Sequence, residues 1–126
     1  MPYKIDILKS TDGESICYYK WTANPNVPFR GVVQIAHGLG EHAGRYDNMA
    51  NLLQKEGYAV YANDHRAHGK TAELKRLFGY YDGSEYFDDC VEDMYALSNL
   101  MKTEYANPKF ILFGHSMGSL LSRKYV

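Results

Sequence analysis

The sequence has only two cysteines, no surplus of either charge, no long apolar run, and neither repeats nor low-complexity tracts. Each absence removes a class of protein. Cys17 and Cys90 lie far apart and in no metal-ligand spacing, so neither is assigned a catalytic or metal role. A net charge of −1, with no basic run interleaved with aromatics, gives no electrostatic reason to expect nucleic acid as a partner. Nowhere do ~18 apolar residues run together, so no transmembrane segment is expected. The opening M-P-Y-K-I-D-I-L-K-S lacks the apolar stretch of a signal peptide. The two thiols are therefore expected to be reduced, in a cytoplasmic protein.

What is present is the composition of a globular protein, 45% hydrophobic and 23% charged over 126 residues, a length that fits one domain or part of one. Residues 3–8 and 14–21 are short runs rich in Ile and Tyr, separated by Lys9-Ser10-Thr11-Asp12-Gly13. Asp-Gly between such runs predicts a hairpin, because glycine tolerates the positive φ of the reversal. Residues 22–28, T-A-N-P-N-V-P, are a connection. The nearly continuous apolar run at 31–36 predicts a strand buried on both faces. Tyr46, Met49, Ala50 and Leu53 then share a helical face, with Gly57 suited to its end.

Residues 58–62 are the next predicted strand, and residues 63–83 read as a polar loop around D-H-R-A-H-G. Phe87, Val91, Met94, Leu97, Met101 and Tyr105 recur at three- and four-residue steps, predicting a helix over about 85–105 that Asn107-Pro108 stops. A third buried strand is expected at 109–113 and a helix after Ser116. The alternation predicts an α/β fold, an antiparallel hairpin followed by parallel βαβ units with right-handed crossovers.

Gly114-His115-Ser116-Met117-Gly118 fits G-x-S-x-G, a weak signal alone but here led by an apolar strand and followed by a helix. A serine on a sharp strand-to-helix turn is held in a strained conformation, and the elbow glycines Gly114 and Gly118 remove the Cβ atoms that would collide with neighbouring elements. The hydroxyl then points above the C-terminal edge of the sheet, where the unpaired N–H groups of the next helix begin. The competing reading is a tight turn whose serine only caps a helix. His37-Gly38-Leu39-Gly40 follows the strand 31–36. Acyl transfer needs two N–H donors aimed at a tetrahedral oxyanion, and the N–H groups of Leu39 and Met117 are the candidates. An ordinary glycine-rich loop is the alternative for 37–40.

Four stretches together, H-G-L-G-E-H-A-G-R-Y (37–46), D-H-R-A-H-G-K-T (64–71), F-D-D-C-V-E-D-M (87–94) and G-H-S-M-G-S (114–119), resemble the monoacylglycerol lipase/lysophospholipase branch of the α/β-hydrolases, also described as serine-aminopeptidase-like. The resemblance covers essentially the whole chain. It implies the N-terminal part of an α/β-hydrolase sheet, a serine hydrolase with Ser116 as nucleophile, and an oxyanion hole from the Leu39 and Met117 N–H groups. The implied substrate is a small acyl ester, and no cofactor or metal is expected. The branch pattern is D-x-x-G-H-G-x-S, whereas this chain has Ala67 for the first glycine and Thr71 for the serine. If position 67 takes φ > 0, alanine strains it by roughly 1 kcal/mol.

Other polar residues receive plainer readings. Glu41 and Arg45 are expected to pair and shape their loop. Asp64, His65 and His68 lack the further ligands that zinc requires. His42 reads as a solvated loop histidine. His115 is rejected as the base for Ser116, because adjacent residues on a sharp turn point apart.

A serine needs a base oriented by a carboxylate, and in this fold the chain order is Ser, then Asp or Glu, then His. After Ser116 come only M-G-S-L-L-S-R-K-Y-V, without acid or histidine. The expectation is that residues 1–126 are the N-terminal half of a single domain, lacking lid, acid and base, and catalytically silent alone. Its strand 109–113 would then be a sheet edge open to self-association or to a complementary chain. A peptidase, dehalogenase or peroxidase of the same fold is the weaker reading, dehalogenase chemistry favouring a carboxylate at the apex.

Overall fold

The structure is a computed structural model that describes residues 3–75, 85–106 and 108–126. Among the described residues, five strands form one mixed sheet: β1 (Lys4–Lys9), β2 (Ser15–Trp21), β3 (Gly31–Ala36), β4 (Tyr58–Asn63) and β5 (Phe110–Gly114). The described residues also form α1 (Asp47–Lys55), α2 (Gly69–Lys75), α3 (Tyr86–Glu104) and α4 (Met117–Tyr125), and a 3-10 turn, Ala43–Tyr46, leads into α1. The strand order is β1-β2-β4-β3-β5. β1 and β2 pair antiparallel from Lys4↔Lys20 to Lys9↔Ser15, closed by Gly13 at φ 86°. β2 also runs antiparallel to β4, while β3 is parallel to both β4 and β5. The hairpin followed by parallel βαβ units is therefore observed.

The alternation of side chains along β3 explains its two-sided burial. Val33 and Ile35 join Tyr19, Trp21, Val60 and Ala62 against Ala50 of α1, with Tyr46, Met49 and Leu53 packed around them. Val32, on the opposite face, meets Ala59, Tyr61, Leu97 and Met101. A fully buried aliphatic side chain contributes about 1.5–3 kcal/mol, so these two layers hold the sheet between its helices. Gln34, also fully buried, is satisfied: its amide donates to the Met94 carbonyl at 3.0 Å and its oxygen accepts from Ser98 Oγ at 2.6 Å.

Two expectations are corrected. Residues 69–75, read as loop, form α2. Its start is held from a distance in sequence: Asp64 Oδ2 accepts the Lys70 N–H at 2.8 Å, and the Thr71 hydroxyl donates to the Asp64 carbonyl at 2.8 Å. The glycines and histidines that suggested a loop sit at its mouth. The last part of that predicted loop, 76–83, lies outside the described residues, as do Ser84 and Asn107. α3 ends at Glu104, with Tyr105 extended at φ −133° and ψ 114°. β5, expected as a third buried strand at 109–113, instead has no buried residue: it pairs with β3 alone among the described strands, and Phe110, Ile111 and Phe113 are each 38–39% exposed.

Candidate active site

The turn between β5 and α4 forms because two glycines let backbones meet. A Cβ at Gly118 would fall 1.9 Å from the Ala36 carbonyl oxygen, and one at Gly114 would fall 2.4 Å from the Gly118 oxygen. Neither is sterically possible. The first turn of α4 therefore seats directly on the end of β3, and the His115 N–H donates to the Ala36 carbonyl at 3.2 Å. At the apex Ser116 takes φ 56° and ψ −119°, a conformation that costs about 1–3 kcal/mol for a residue with a side chain. Ser116 occupies the N-cap position of α4, yet its side chain makes no capping hydrogen bond. A serine that merely caps is thus not what the structure contains. Ser116 is exposed, with its hydroxyl outside the helix-end bonding.

The loop after β3 lies against this apex. A Cβ at Gly38 would sit 3.1 Å from Ser116 Cβ and equally close to the His115 carbonyl, so position 38 admits little beyond hydrogen. The Gly38 N–H donates to Glu41 Oε1 at 2.5 Å, and the Tyr46 hydroxyl donates to the same oxygen. Burial pushes the Glu41 carboxyl up, but the bonds from Tyr46, Gly38 and His115 outweigh it and hold the group below its usual value. Arg45, the expected partner, stays exposed with its Nη1 at 3.9 Å from Glu41. Glu41 does shape the loop, mainly through Gly38 and Tyr46.

Leu39 is 74% exposed at the tip of this loop, and Met117 is the first residue of α4. Neither N–H donates to a backbone group among the described residues. Leu39, Met117, Gly114, Gly118 and Ser116 thus gather where the C-terminal ends of β3 and β5 adjoin. His115 Nδ1 lies 3.5 Å from Glu41 Oε1. His42 is exposed and borders a cleft of about 490 Å³ that Leu39, His68, Lys70 and Glu73 also line. Chemically, an exposed serine hydroxyl without a capping bond, next to the 38–39 loop and the start of a helix, is suited to addition to a carbonyl, and backbone N–H groups at such a place to stabilising the resulting oxyanion.

The loop after β4 plays a different part. Asp64 is fully buried, and its oxygens accept the N–H groups of Ala43 at 2.7 Å and Lys70 at 2.8 Å. Burial pushes its carboxyl up, against the pull of those bonds. His65 lies 4.1 Å, centroid to centroid, from His37 with the two rings tilted by 46°, and burial pushes its pKa well down. Among the described residues no group of three or more His, Cys, Asp or Glu side chains is arranged to hold a metal ion. Cys17 and Cys90 are buried free thiols, and burial pushes each up to about 12.

Sequence reasoning missed the ion cluster of Arg66. Its guanidinium reaches Asp12 of the hairpin turn at 2.8 and 2.9 Å and Asp93 of α3 at 2.8 Å twice. Asp93 has no exposed surface and also accepts from Ser10 Oγ at 2.5 Å. A signal existed: Asp93 falls beside Cys90 and Leu97 on the buried face of the helix, where a carboxylate requires a partner.

A sequence-family model described as "Serine aminopeptidase, S33" matches residues 27–126. The monoacylglycerol lipase of Mycolicibacterium smegmatis is 42% identical over 106 residues, which is 84% of this chain and 35% of that one. A thermostable carboxyl esterase from Bacillus coagulans, solved with glycerol, superposes with a TM-score of 0.88 at 32% identity, covering 99% of this chain and 40% of the other. The monoglyceride lipase of Saccharomyces cerevisiae, solved with a substrate analogue, gives 0.78 at 25% identity over 99% and 39% of the two chains. The chain thus spans 35–40% of the length of these proteins.

Proposed function

Because this chain belongs to the serine aminopeptidase S33 family, an α/β-hydrolase lineage, we propose that it carries the nucleophile of a serine ester hydrolase acting on acylglycerol or lysophospholipid-like esters. Ser116 attacks the acyl carbonyl, the N–H groups of Leu39 and Met117 stabilise the oxyanion, and water then releases the acyl-enzyme. The observation that carries this reading is the Ser116 apex. It is a non-glycine residue at φ 56° whose hydroxyl makes no capping bond, against a loop that offers the second N–H.

Ester rather than peptide chemistry is favoured by the names of the relatives, a monoacylglycerol lipase and a carboxyl esterase, over the peptidase in the family description. The base and its orienting acid are proposed to come from polypeptide outside residues 1–126, since no Asp, Glu or His follows Ser116. Residues 1–126 are then the nucleophile-bearing part of one domain and silent alone. A cytoplasmic location belongs to the same reading, supported by the two free thiols.

A second reading rests on β5, whose outer edge bears the half-exposed Phe110, Ile111 and Phe113. It makes the isolated chain a module that associates through 109–113 with a second copy or a complementary chain. A short-chain p-nitrophenyl ester, a monoacylglycerol and an aminoacyl amide, each offered to the isolated chain and to a longer polypeptide containing it, test both readings. The expected result is ester turnover in the longer form only, abolished by Ser116→Ala. Robust turnover by the 126-residue chain alone would contradict the placement of the base, and a stable monomer in light scattering would sink the association reading.

A further inference from the structure

The loop after β3 carries a buried imidazole that the acyl-transfer reading leaves unused. His37 has no exposed surface, and both ring nitrogens are engaged. Nδ1 lies 2.7 Å from the Gly38 carbonyl oxygen, while Nε2 lies 2.9 Å from the His65 backbone nitrogen. A carbonyl only accepts and an amide N–H only donates. The two partners therefore fix one tautomer, with the proton on Nδ1 and the lone pair on Nε2. Burial pushes the pKa of this group down to about 4, in keeping with a neutral ring.

The Gly38 carbonyl belongs to the same peptide unit as the Leu39 N–H. That unit is planar and trans, so its oxygen and its hydrogen point in opposite directions. Holding the oxygen sets the direction of the hydrogen. The same oxygen accepts one further bond, the Glu41 N–H at a longer 3.4 Å. On the other side of Gly38, its N–H is held by Glu41 and its Cα abuts Ser116. A hydrogen bond on the carbonyl also polarises the amide, which strengthens the N–H as a donor.

We propose that His37 is a positioning residue of the acyl-transfer site: its Nδ1–H locks the Gly38–Leu39 peptide, so that the Leu39 N–H is held ready for the oxyanion. The His65 N–H in turn locks His37 in the tautomer that can do this. The inference rests on the reading of Leu39 as an oxyanion donor. His37 touches neither substrate nor the reacting atoms, and its effect passes through one peptide plane.

Nitrogen NMR of the imidazoles in the 126-residue chain reads the tautomer without any variant. At neutral pH, His37 is expected to carry its proton on Nδ1 and none on Nε2, and the opposite tautomer overturns the proposal. His37→Asn keeps a side-chain N–H where Nδ1–H stood, whereas His37→Leu keeps bulk without a donor. The Leu39 amide resonance should stay near its wild-type position in the first variant and move in the second. An unmoved Leu39 in folded His37→Leu also overturns it. If His37→Leu does not fold, the tautomer and the Asn variant still decide.

In an ester-hydrolysing polypeptide containing these residues, His37→Leu should lower kcat about 100-fold with KM nearly unchanged, and His37→Asn should restore most of it. Equal losses in both variants, or a change in KM alone, contradict the positioning role. Absence of turnover in the unaltered protein counts instead against the ester-hydrolase reading, and the NMR result then judges His37 by itself.

Discussion

Two non-glycine residues hold a positive φ among the described residues, Ser116 at 56° and Ala67 at 67°, and they are held there by different physics. Around Ser116 the constraint is steric, with backbone pressed on backbone where Gly118 meets Ala36. Around Ala67 it is electrostatic and hydrogen-bonded. Arg66, the preceding residue, is clamped between Asp12 and Asp93, and its carbonyl accepts from the Tyr86 hydroxyl at 2.7 Å. The consequences differ as well. Strain at Ser116 presents a hydroxyl to the surface. Strain at Ala67 presents only a methyl group, so it costs stability without placing a chemical group.

The electrostatic hold on Ala67 is the more costly of the two to remove. Asp93→Ala removes the buried partner of Arg66 and is expected to cost about 3–5 kcal/mol in urea unfolding. A loss under about 1 kcal/mol would mean that Asp12 alone suffices to hold the loop. Acid is the next largest perturbation, and it acts at the seam where His37 meets His65. The folded-state pKa of His37 falls from 6.5 to about 4. The stability it contributes is present above pH 6.5 and lost as pH falls through about 4, amounting to about 3 kcal/mol. The buried His65, also pushed down, adds to this in the same direction. Denaturation midpoints at pH 7 and pH 4.5 measure the effect, and His37→Asn should reduce it, leaving the share of His65.

On the steric side, Gly118→Ala forces a methyl group against the Ala36 carbonyl and is expected to cost about 2–3 kcal/mol, with salt making no difference. The smallest effect separates the two residues most cleanly. Ala67→Gly should stabilise the fold by about 1 kcal/mol and leave ester turnover unchanged. Ser116→Gly should stabilise by a similar amount and abolish turnover. A destabilised Ala67→Gly would show that the methyl group packs usefully and that the strain reading is wrong.

Much of the fold was legible because its signals are local. β3 spans the predicted 31–36, since a strand buried on both faces reads as an unbroken apolar run, and the stripe from Phe87 to Met101 marks α3. Ala67, which stands where the resembling pattern has glycine, raised the question of a positive φ, and the structure answers it at 67°. What escaped is held by contacts between residues that are not neighbours in the chain. α2 was hidden because its start is fixed by the Asp64 carboxylate rather than by a residue beside it. The Arg66 cluster joins positions 12, 66 and 93, and no local pattern announces it. At the site, Ser116 and the Leu39 loop were legible as motifs. The His37 tautomer was not, because it depends on a backbone N–H twenty-eight positions away.

If the strained serine is the reacting group, fluorophosphonate treatment of an ester-hydrolysing polypeptide containing residues 1–126, followed by peptide mapping, will yield one adduct. It is expected on Ser116, formed in proportion to lost turnover and absent from Ser116→Ala. An adduct on another residue, or turnover that survives Ser116→Ala, would contradict that role.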